Sequence, residues 1–279
     1  MPARPPEPTI ASLRDAPGDG AGDSLARYWR FYWAVADAQL TRWLPRRPSR
    51  VLDISGGRGR SAVQAAAAGH RVLEVRDPVL ERGMAAAYPN GANGHRPNGN
   101  GRSATPPGGR NATAPVVGDS GALSFLGDAT VDAVVAENRV LSRHLVTEAT
   151  VAEIARVLRP GGRVLLCVDS LTLGMAVLAE QNYWAHLSDV PSAEVVLVPW
   201  PDGTITRCFW AEQLRELLAE VGLEVEWIRP RTALSPSTVE HVLSTSPQAL
   251  ARLVRTELNA PPGDESLGMH LLASARRKT

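Results

Sequence analysis

The sequence predicts an α/β fold whose doubly wound, mostly parallel sheet has seven strands. Seven short apolar runs alternate along the chain with stretches of helical periodicity, the pattern of repeated strand and helix units. The runs are apolar almost throughout, as expected for strands that helices cover on both faces. A glycine-rich loop directly follows the first run, at the edge where such sheets bind ligands. The runs are "RVLDIS", "HRVLEV", "APVV", "VDAVVA", "GRVLLCV", "LEVEWI" and "MHLLASA".

One helix is predicted ahead of the first strand. Residues 1–23 are rich in Pro, Gly and Asp, and a composition so poor in large apolar side chains predicts a disordered leader. Within residues 24–47, Trp29, Tyr32 and Trp33 follow the i, i+3, i+4 spacing and share one helix face. From residue 24 to residue 279 we expect a single domain.

Three longer segments interrupt the alternation. Residues 90–114 are rich in Asn and Gly and predict a flexible surface insertion. Residues 170–208 connect the fifth strand to the next helix of the alternation and are far longer than the roughly 2 to 6 residues usual between a strand and a helix. Their pattern predicts a helix followed by a hairpin. Residues 235–258 predict a further helical insertion, because their opening Ser-Pro is a helix start signal.

The composition excludes several classes of function. The 279 residues are 44% hydrophobic and carry a net charge of +1, which allows a full core and no basic face for nucleic acid. Apolar runs are far shorter than the roughly 18 to 20 residues of a membrane span, so we expect a cytoplasmic protein. Cys167 and Cys208 lack metal-site spacing, and no metal is expected. The only lysine, Lys278, is next to last, which excludes a pyridoxal Schiff base and a P-loop.

Two kinds of ligand remain for the glycine loop in "VLDISGGRGR". The pattern Gly57-x-Gly59-x-x-Ala62, followed by Asp77, fits a dinucleotide fingerprint. Asp53 ends the preceding strand, however, and its carboxylate would repel a pyrophosphate and favour a cationic group. S-adenosylmethionine has no phosphate and carries both an ammonium and a sulfonium, so it fits this carboxylate better.

From about Arg50 to the C-terminus the sequence resembles the class I S-adenosylmethionine-dependent methyltransferases, through four motifs in the family's order: "DISGGRG", "VVGDSGALSF", "VDAVVAENRVLSRHL" and "EIARVLRPGGRVLL". The resemblance implies the Rossmann-like methyltransferase fold, S-adenosylmethionine as cofactor and an N-terminal helical lid at residues 24–47. It places Asp119 at the adenine amino group. The expected cofactor-binding residues are Asp53, Ser55, Gly57, Gly59, Arg76, Asp77, Asp119, Ser120, Glu137 and Asn138.

One cofactor position departs from the family. There the second strand ends in an acidic residue that accepts hydrogen bonds from both ribose hydroxyls, whereas this chain has Arg76. Arginine cannot accept a hydrogen bond, so Asp77 or Glu74 would have to substitute. Because an arginine also suits the 2′-phosphate of NADP, an NADP-dependent oxidoreductase stays open as an alternative. A third possibility is a methyltransferase-like protein that transfers no methyl group.

Methyl transfer depends mainly on holding the nucleophile close to the methyl group, and a base is needed chiefly for a hydroxyl or a protonated amine. In this family the loop after the fourth strand opens beside the methyl group, which makes His144 and Glu137 the candidate catalytic residues. His270, within the last strand, is expected to be structural. The expected substrate-binding residues are Tyr28, Tyr32, Asp169, Met175, Tyr183, Trp184, His186 and Trp200.

The sequence therefore predicts methyl transfer to an oxygen or nitrogen of a small molecule. The tryptophan-rich insertion at residues 170–208 favours a hydrophobic or aromatic acceptor. An Asn-Pro-Pro-Tyr motif of nucleic-acid amino methyltransferases is absent, since the corresponding stretch reads "AENR". The overall pattern resembles tailoring enzymes of bacterial secondary metabolism, acting as a monomer or a homodimer.

Overall fold

The computed structural model describes residues 25–56, 60–80, 113–201, 203–260 and 268–279. The predicted leader, Gly57, Gly59 and residues 90–112 of the predicted insertion lie outside the described residues, so those interpretations stay predictions. No helix in the described part of the chain is both long and apolar enough to cross a membrane.

Seven of the nine strands in the described ranges form the predicted sheet. The strands are β1 (Arg50–Asp53), β2 (Arg71–Arg76), β3 (Thr113–Val117), β4 (Val131–Ala136), β5 (Leu158–Ser170), β6 (Val196–Pro199), β7 (Ile205–Phe209), β8 (Leu223–Pro230) and β9 (His270–Arg277). β1 to β5 lie side by side and parallel in the order β3, β2, β1, β4, β5. β9 runs antiparallel beside β5, and β8 pairs antiparallel with β9.

The remaining two strands form the predicted hairpin. β6 and β7 pair antiparallel, and β7 joins the sheet only at the carboxyl end of β5, where Asp169 faces Cys208. The turn between them is closed by a hydrogen bond of 2.8 Å from Trp200 N to Thr204 O, and Gly203 has φ +81°. The inserted segment therefore extends the sheet at the edge where ligands bind in open α/β folds.

The described ranges contain nine α-helices. The helices are α1 (Ala26–Trp43), α2 (Arg60–Ala67), α3 (Val140–Arg143), α4 (Thr147–Val157), α5 (Leu171–Glu180), α6 (Trp184–Asp189), α7 (Ala211–Glu220), α8 (Pro236–Thr245) and α9 (Leu250–Leu258). One hydrophobic cluster joins Leu52 and Ile54 of the sheet to α4 and α7, and the opposite cluster joins Val51 and Val135 to α1 and α2. The predicted cover of the sheet by helices on both faces is confirmed.

The N-terminal helix α1 packs against two parts of the molecule. Its C-terminal residues, Leu40 and Trp43, contact the sheet face beside α2. Its aromatic residues near the N-terminus, including Tyr28 and Trp29, pack against α8, with α9 alongside. This packing places Tyr32 between the aromatic cluster and the sheet, while the lid function of residues 24–47 stays a prediction.

Candidate active site

The first part of the site is the end of β1. The Asp53 carboxylate is buried, and its two oxygens accept hydrogen bonds from Ser55 N at 2.9 Å and Ser61 Oγ at 2.6 Å. Burial raises the pKa of Asp53, the hydrogen bonds from the two serines oppose this, and the neighbouring Glu74 adds to the rise. Gly56 follows with φ +82°, a conformation that favours glycine. The chain thus turns away from the sheet directly beside a buried carboxylate.

Ser55, which stands where the family more often has glycine, links this turn to β4. Its Oγ accepts a hydrogen bond of 2.9 Å from Glu137 N, and Asn138 Nδ2 lies 3.5 Å from Ser55 O. Two segments far apart in sequence are therefore fixed to each other at the carboxyl ends of β1 and β4. Three of the predicted cofactor-binding residues meet here.

The end of β2 carries Arg76 together with the two acids, Glu74 and Asp77, that are expected to replace the ribose-binding carboxylate. The Arg76 side chain is 50% exposed, and its Nη2 lies 3.4 Å from Oε2 of the buried Glu74. Asp77 accepts four hydrogen bonds, from the backbone N–H groups of Val79, Leu80 and Ser120 and from the Ser120 hydroxyl. Both acids proposed to replace the ribose-binding carboxylate therefore already have partners.

His144 is connected to Asp77 through Ser120. The Ser120 hydroxyl donates to Asp77 at 2.8 Å and lies 2.7 Å from His144 Nε2, so Nε2 carries a proton and donates to Ser120. Burial lowers the pKa of His144, although Asp119 and Asp77 act against this. Asp119 itself is exposed, and its Oδ1 accepts from Gly121 N at 2.7 Å.

The same residues bring potential metal ligands together. Atoms of Asp77, Asp119 and His144 lie within 4.8 Å of one another. The two Asp77 oxygens, however, are already taken up by the four hydrogen bonds above, and Ser120 links Asp77 to His144. The arrangement is therefore best described as a hydrogen-bonded framework that holds the loops after β2 and β3 against α3.

A second group of polar side chains lies at the end of β4. Asn138 and Arg139 follow Glu137 with φ values of 57° and 59°. Two consecutive non-glycine residues in the left-handed region cost about 1–3 kcal/mol each, and such conformations cluster at functional sites. On either side of Asn138, Glu137 pairs with Arg231 and Arg139 pairs with Asp169 at the end of β5.

Arg231, which sequence reasoning missed, holds Glu137 in place. It is 1% exposed, and its Nη2 is hydrogen bonded to Glu137 Oε2. Its Nη1 donates to Gln39 Oε1 at 2.9 Å, and its backbone N donates to His270 O at 2.8 Å. Glu137 Oε1 has no hydrogen-bond partner among the described residues. Burial raises the pKa of Glu137 against the effect of Arg231.

The end of β5 carries a similar pair. Asp169 is fully buried, and its Oδ1 lies 3.2 Å from Arg139 Nη1 and 3.5 Å from His270 Nε2. The other nitrogen of His270, Nδ1, lies 3.2 Å from the Tyr32 hydroxyl. Asp169 Oδ2 has no partner in the described part of the chain. His270, which is expected from the sequence to be structural, therefore lies between two predicted substrate-binding residues, Tyr32 and Asp169.

The other predicted substrate-binding residues are spread over the molecule. The Tyr28 hydroxyl is hydrogen bonded to Thr232 at 3.1 Å, and buried Trp200 donates to Thr206 at 2.8 Å. Trp184 is 59% exposed on α6. Met175 and Tyr183 are also exposed, and His186 contacts the Tyr183 ring. The structure thus groups Tyr32, Glu137 and Asp169, whereas no described contact joins the α6 residues to that group.

A comparison with known protein families identifies the class of enzyme to which this site belongs. A family model described as a methyltransferase domain matches residues 28–227. The chain belongs to this methyltransferase family. It is an S-adenosylmethionine-dependent methyltransferase, and this assignment favours the methyltransferase interpretation of the glycine loop over the NADP alternative. Arg231 and His270 lie outside the matched residues.

Solved structures of low sequence identity share the fold. An S-adenosylmethionine-dependent methyltransferase from Methanosarcina mazei superposes with a TM-score of 0.51 at 19% identity, covering 86% of this chain and 97% of its own. One from Mesorhizobium loti gives 0.52 at 16% identity, with 92% and 99% covered. A Listeria monocytogenes protein gives 0.55 at 13% identity, with 92% and 100% covered. A comparison with curated protein sequences finds no match.

The described residues fit this cofactor. Asp53 and Glu74 are adjacent in register on β1 and β2. Burial raises the pKa of Glu137, and the negative charge of Asp53 adds to that rise. Buried carboxylates at the ends of three neighbouring strands attract a cation and repel a pyrophosphate. S-adenosylmethionine carries two cationic groups and no phosphate.

Proposed function

We propose that the protein transfers the methyl group of S-adenosylmethionine to an oxygen or nitrogen atom of a small, hydrophobic or aromatic molecule. The observation that carries this proposal is the buried carboxylate of Glu137, which has one oxygen fixed by Arg231 and the other without a partner among the described residues. It lies next to the glycine loop, because its backbone N–H is bonded to Ser55. A free basic oxygen at this place suits removal of a proton from the acceptor.

When bound, S-adenosylmethionine would supply a methyl group on a positively charged sulfur, which would leave as a neutral thioether. Glu137 Oε1 would accept the proton that the hydroxyl or amine of the acceptor loses on methylation. Arg231 meanwhile keeps Oε2 in place, so the free oxygen stays oriented. Burial raises the pKa of Glu137, which makes the carboxylate a stronger base than an exposed one.

Of the two catalytic candidates, Glu137 is better placed than His144 to act as the base. His144 Nε2 is engaged with Ser120, and the pKa of His144 is lowered by burial. Its contacts tie it to the loops after β2 and β3, on the side where the resemblance places adenine. We therefore assign His144 to the framework of the cofactor site and Glu137 to proton transfer.

The inserted segment supports a small acceptor with apolar parts. α5, α6 and the β6–β7 hairpin all follow the carboxyl end of β5, and they present Met175, Tyr183 and Trp184 to solvent. Exposed aromatic side chains on the segment that follows the carboxyl end of β5 suit an aromatic or hydrophobic molecule with a reactive hydroxyl or amine. Such molecules are typical acceptors of tailoring enzymes in secondary metabolism.

The test measures cofactor binding and methyl transfer separately. Calorimetry with S-adenosylhomocysteine should give micromolar binding, and a panel of phenols and aryl amines should give products heavier by one methylene. Glu137→Gln should then lower kcat by about 10²- to 10⁴-fold, because general base catalysis contributes that much. Glu226→Gln is the matched control, since Glu226 is paired with Arg163 and Arg276 on other strands. An unchanged kcat in Glu137→Gln would rule out the base.

A further inference from the structure

Two buried carboxylates at the carboxyl edge of the sheet each have a polar partner on one oxygen only, among the residues that the structure describes. Glu137 Oε2 is bonded to Arg231 and Asp169 Oδ1 lies 3.2 Å from Arg139. Glu137 Oε1 and Asp169 Oδ2 have no partner in the residues that the structure describes. A buried acceptor left without a donor costs about 1–3 kcal/mol, and more when it is charged. Two such oxygens at one edge call for a ligand that brings donors.

Asp169 is fixed so that its free oxygen has little choice of position. Its backbone N–H donates to Ser142 Oγ at 2.8 Å. Its Oδ1 is held by Arg139 and faces His270 Nε2 at 3.5 Å. The His270 ring is itself held by the Tyr32 hydroxyl. The carboxylate is thereby oriented by three different elements, β9, α1 and the loop after β4, as in a prepared binding site.

We propose that Asp169 Oδ2 binds an N–H or O–H group of the acceptor other than the one that is methylated. The acceptor is then a small molecule with two hydrogen-bond donors, in the class of aminophenols, diols and amino alcohols. One donor is the nucleophile, whose proton Glu137 Oε1 accepts. The second stays intact and is held by Asp169. This inference rests on the proposed function, because it needs an acceptor at Glu137.

The acceptor suits Asp169 better than the cofactor does. The cationic cofactor has carboxylates of its own at the ends of β1 and β2, where Asp53 and Glu74 lie next to each other. Asp169 lies at the end of β5, which β4 separates from β1 in the sheet, so it lies away from that pair of carboxylates.

The experiment compares one-donor and two-donor probes on the complex with S-adenosylhomocysteine. The probes are 2-, 3- and 4-aminophenol, which differ in donor spacing, together with aniline and phenol. By calorimetry at least one aminophenol should bind about 10-fold or more tightly than both aniline and phenol, the value of one hydrogen bond to a charged group. Asp169→Asn should abolish that advantage and leave the affinities for aniline and phenol within about twofold.

Two further variants protect the test from a folding defect. Arg139→Gln/Asp169→Asn removes both charges of the pair and avoids a lone buried arginine, and it should lose the same advantage. Asp132→Asn, at the opposite end of β4 and paired with Arg159, should keep it. Equal affinities for all five probes in the wild type, or an advantage that survives in Asp169→Asn, would overturn the inference. Failure to bind S-adenosylhomocysteine would instead count against the proposed function.

Discussion

The carboxylates at the ends of β1 and β2 differ from those at the ends of β4 and β5 in how fully they are paired. Asp53 and Asp77 are buried, and both oxygens of each accept hydrogen bonds from nearby serine or backbone groups. Glu137 and Asp169 are also buried, but each has one oxygen held by an arginine and one oxygen without a partner in the described part of the chain. The carboxylates of the first region therefore have all their oxygens paired within the protein, whereas each carboxylate of the second region has one oxygen available to a ligand.

Asp53 and Glu137 also differ in how far along the sequence their hydrogen-bond partners lie. Ser55 and Ser61 reach Asp53 from within the same loop and helix. Glu137, in contrast, depends on Arg231, which follows β8 and is 94 residues away. Asp53, at the proposed cofactor end, is thus held by neighbours in sequence, whereas Glu137, at the proposed acceptor end, is held by a distant residue. Loss of the distant partner should therefore damage the proposed acceptor end first.

The largest effect is expected for Arg231→Met. The substitution leaves the Glu137 carboxylate buried with neither oxygen paired, and breaking a buried pair in this way costs about 3–5 kcal/mol. Urea denaturation should report the lower free energy of unfolding. The exposed pair of Arg60 with Asp37 provides the comparison, because Arg60→Met should cost less than about 1 kcal/mol.

A double variant separates the loss of the pair from the loss of packing. Glu137→Leu/Arg231→Met removes both charges, and it should recover most of the lost stability while remaining inactive. A double variant as unstable as the single one would mean that the bonds of Arg231 to Gln39, and not its pairing with Glu137, hold this region together.

The same contrast explains what the sequence could predict. The mostly parallel seven-stranded sheet, the β6–β7 hairpin and the family follow from local patterns such as "DISGGRG" and the apolar runs, and these predictions are confirmed. Glu137 and Asp169 could be named because residues after parallel strands meet at one edge. Arg231 and His270 could not be connected to them, because a lone arginine after an apolar run carries no signal of the helix or strand it will contact.

The next largest effect is a pH dependence of stability that comes from His270. Burial, with Arg139 adding to it, lowers the pKa of His270 from 6.5 to about 3. Below pH 6.5 the unfolded chain therefore takes up a proton that the folded protein does not, and stability falls as the pH drops toward 3. Each such group contributes a slope of about 1.4 kcal/mol per pH unit.

His270→Gln should flatten that dependence. Between pH 6.5 and about 5, the wild type should lose about 2 kcal/mol more than the variant, because glutamine takes up no proton. Urea denaturation at several pH values measures the difference, and His241→Gln on the exposed face of α8 should retain the wild-type slope. Parallel curves for His270→Gln and the wild type would show that this histidine takes up its proton over the same pH range in the folded and the unfolded chain.

The smallest effect is expected at the cofactor end, for Arg76→Gln. In the family, this position accepts hydrogen bonds from the ribose, which arginine cannot do. Glutamine offers a carbonyl oxygen to the ribose and can still donate to Glu74, so the affinity for S-adenosylhomocysteine should rise by about 2- to 10-fold, the value of one neutral hydrogen bond. Arg71→Gln, at the exposed start of β2, is the matched control and should bind as the wild type does. Weaker binding in Arg76→Gln would mean that the arginine itself holds the cofactor, and that the cofactor end also depends on a residue outside the family's pattern.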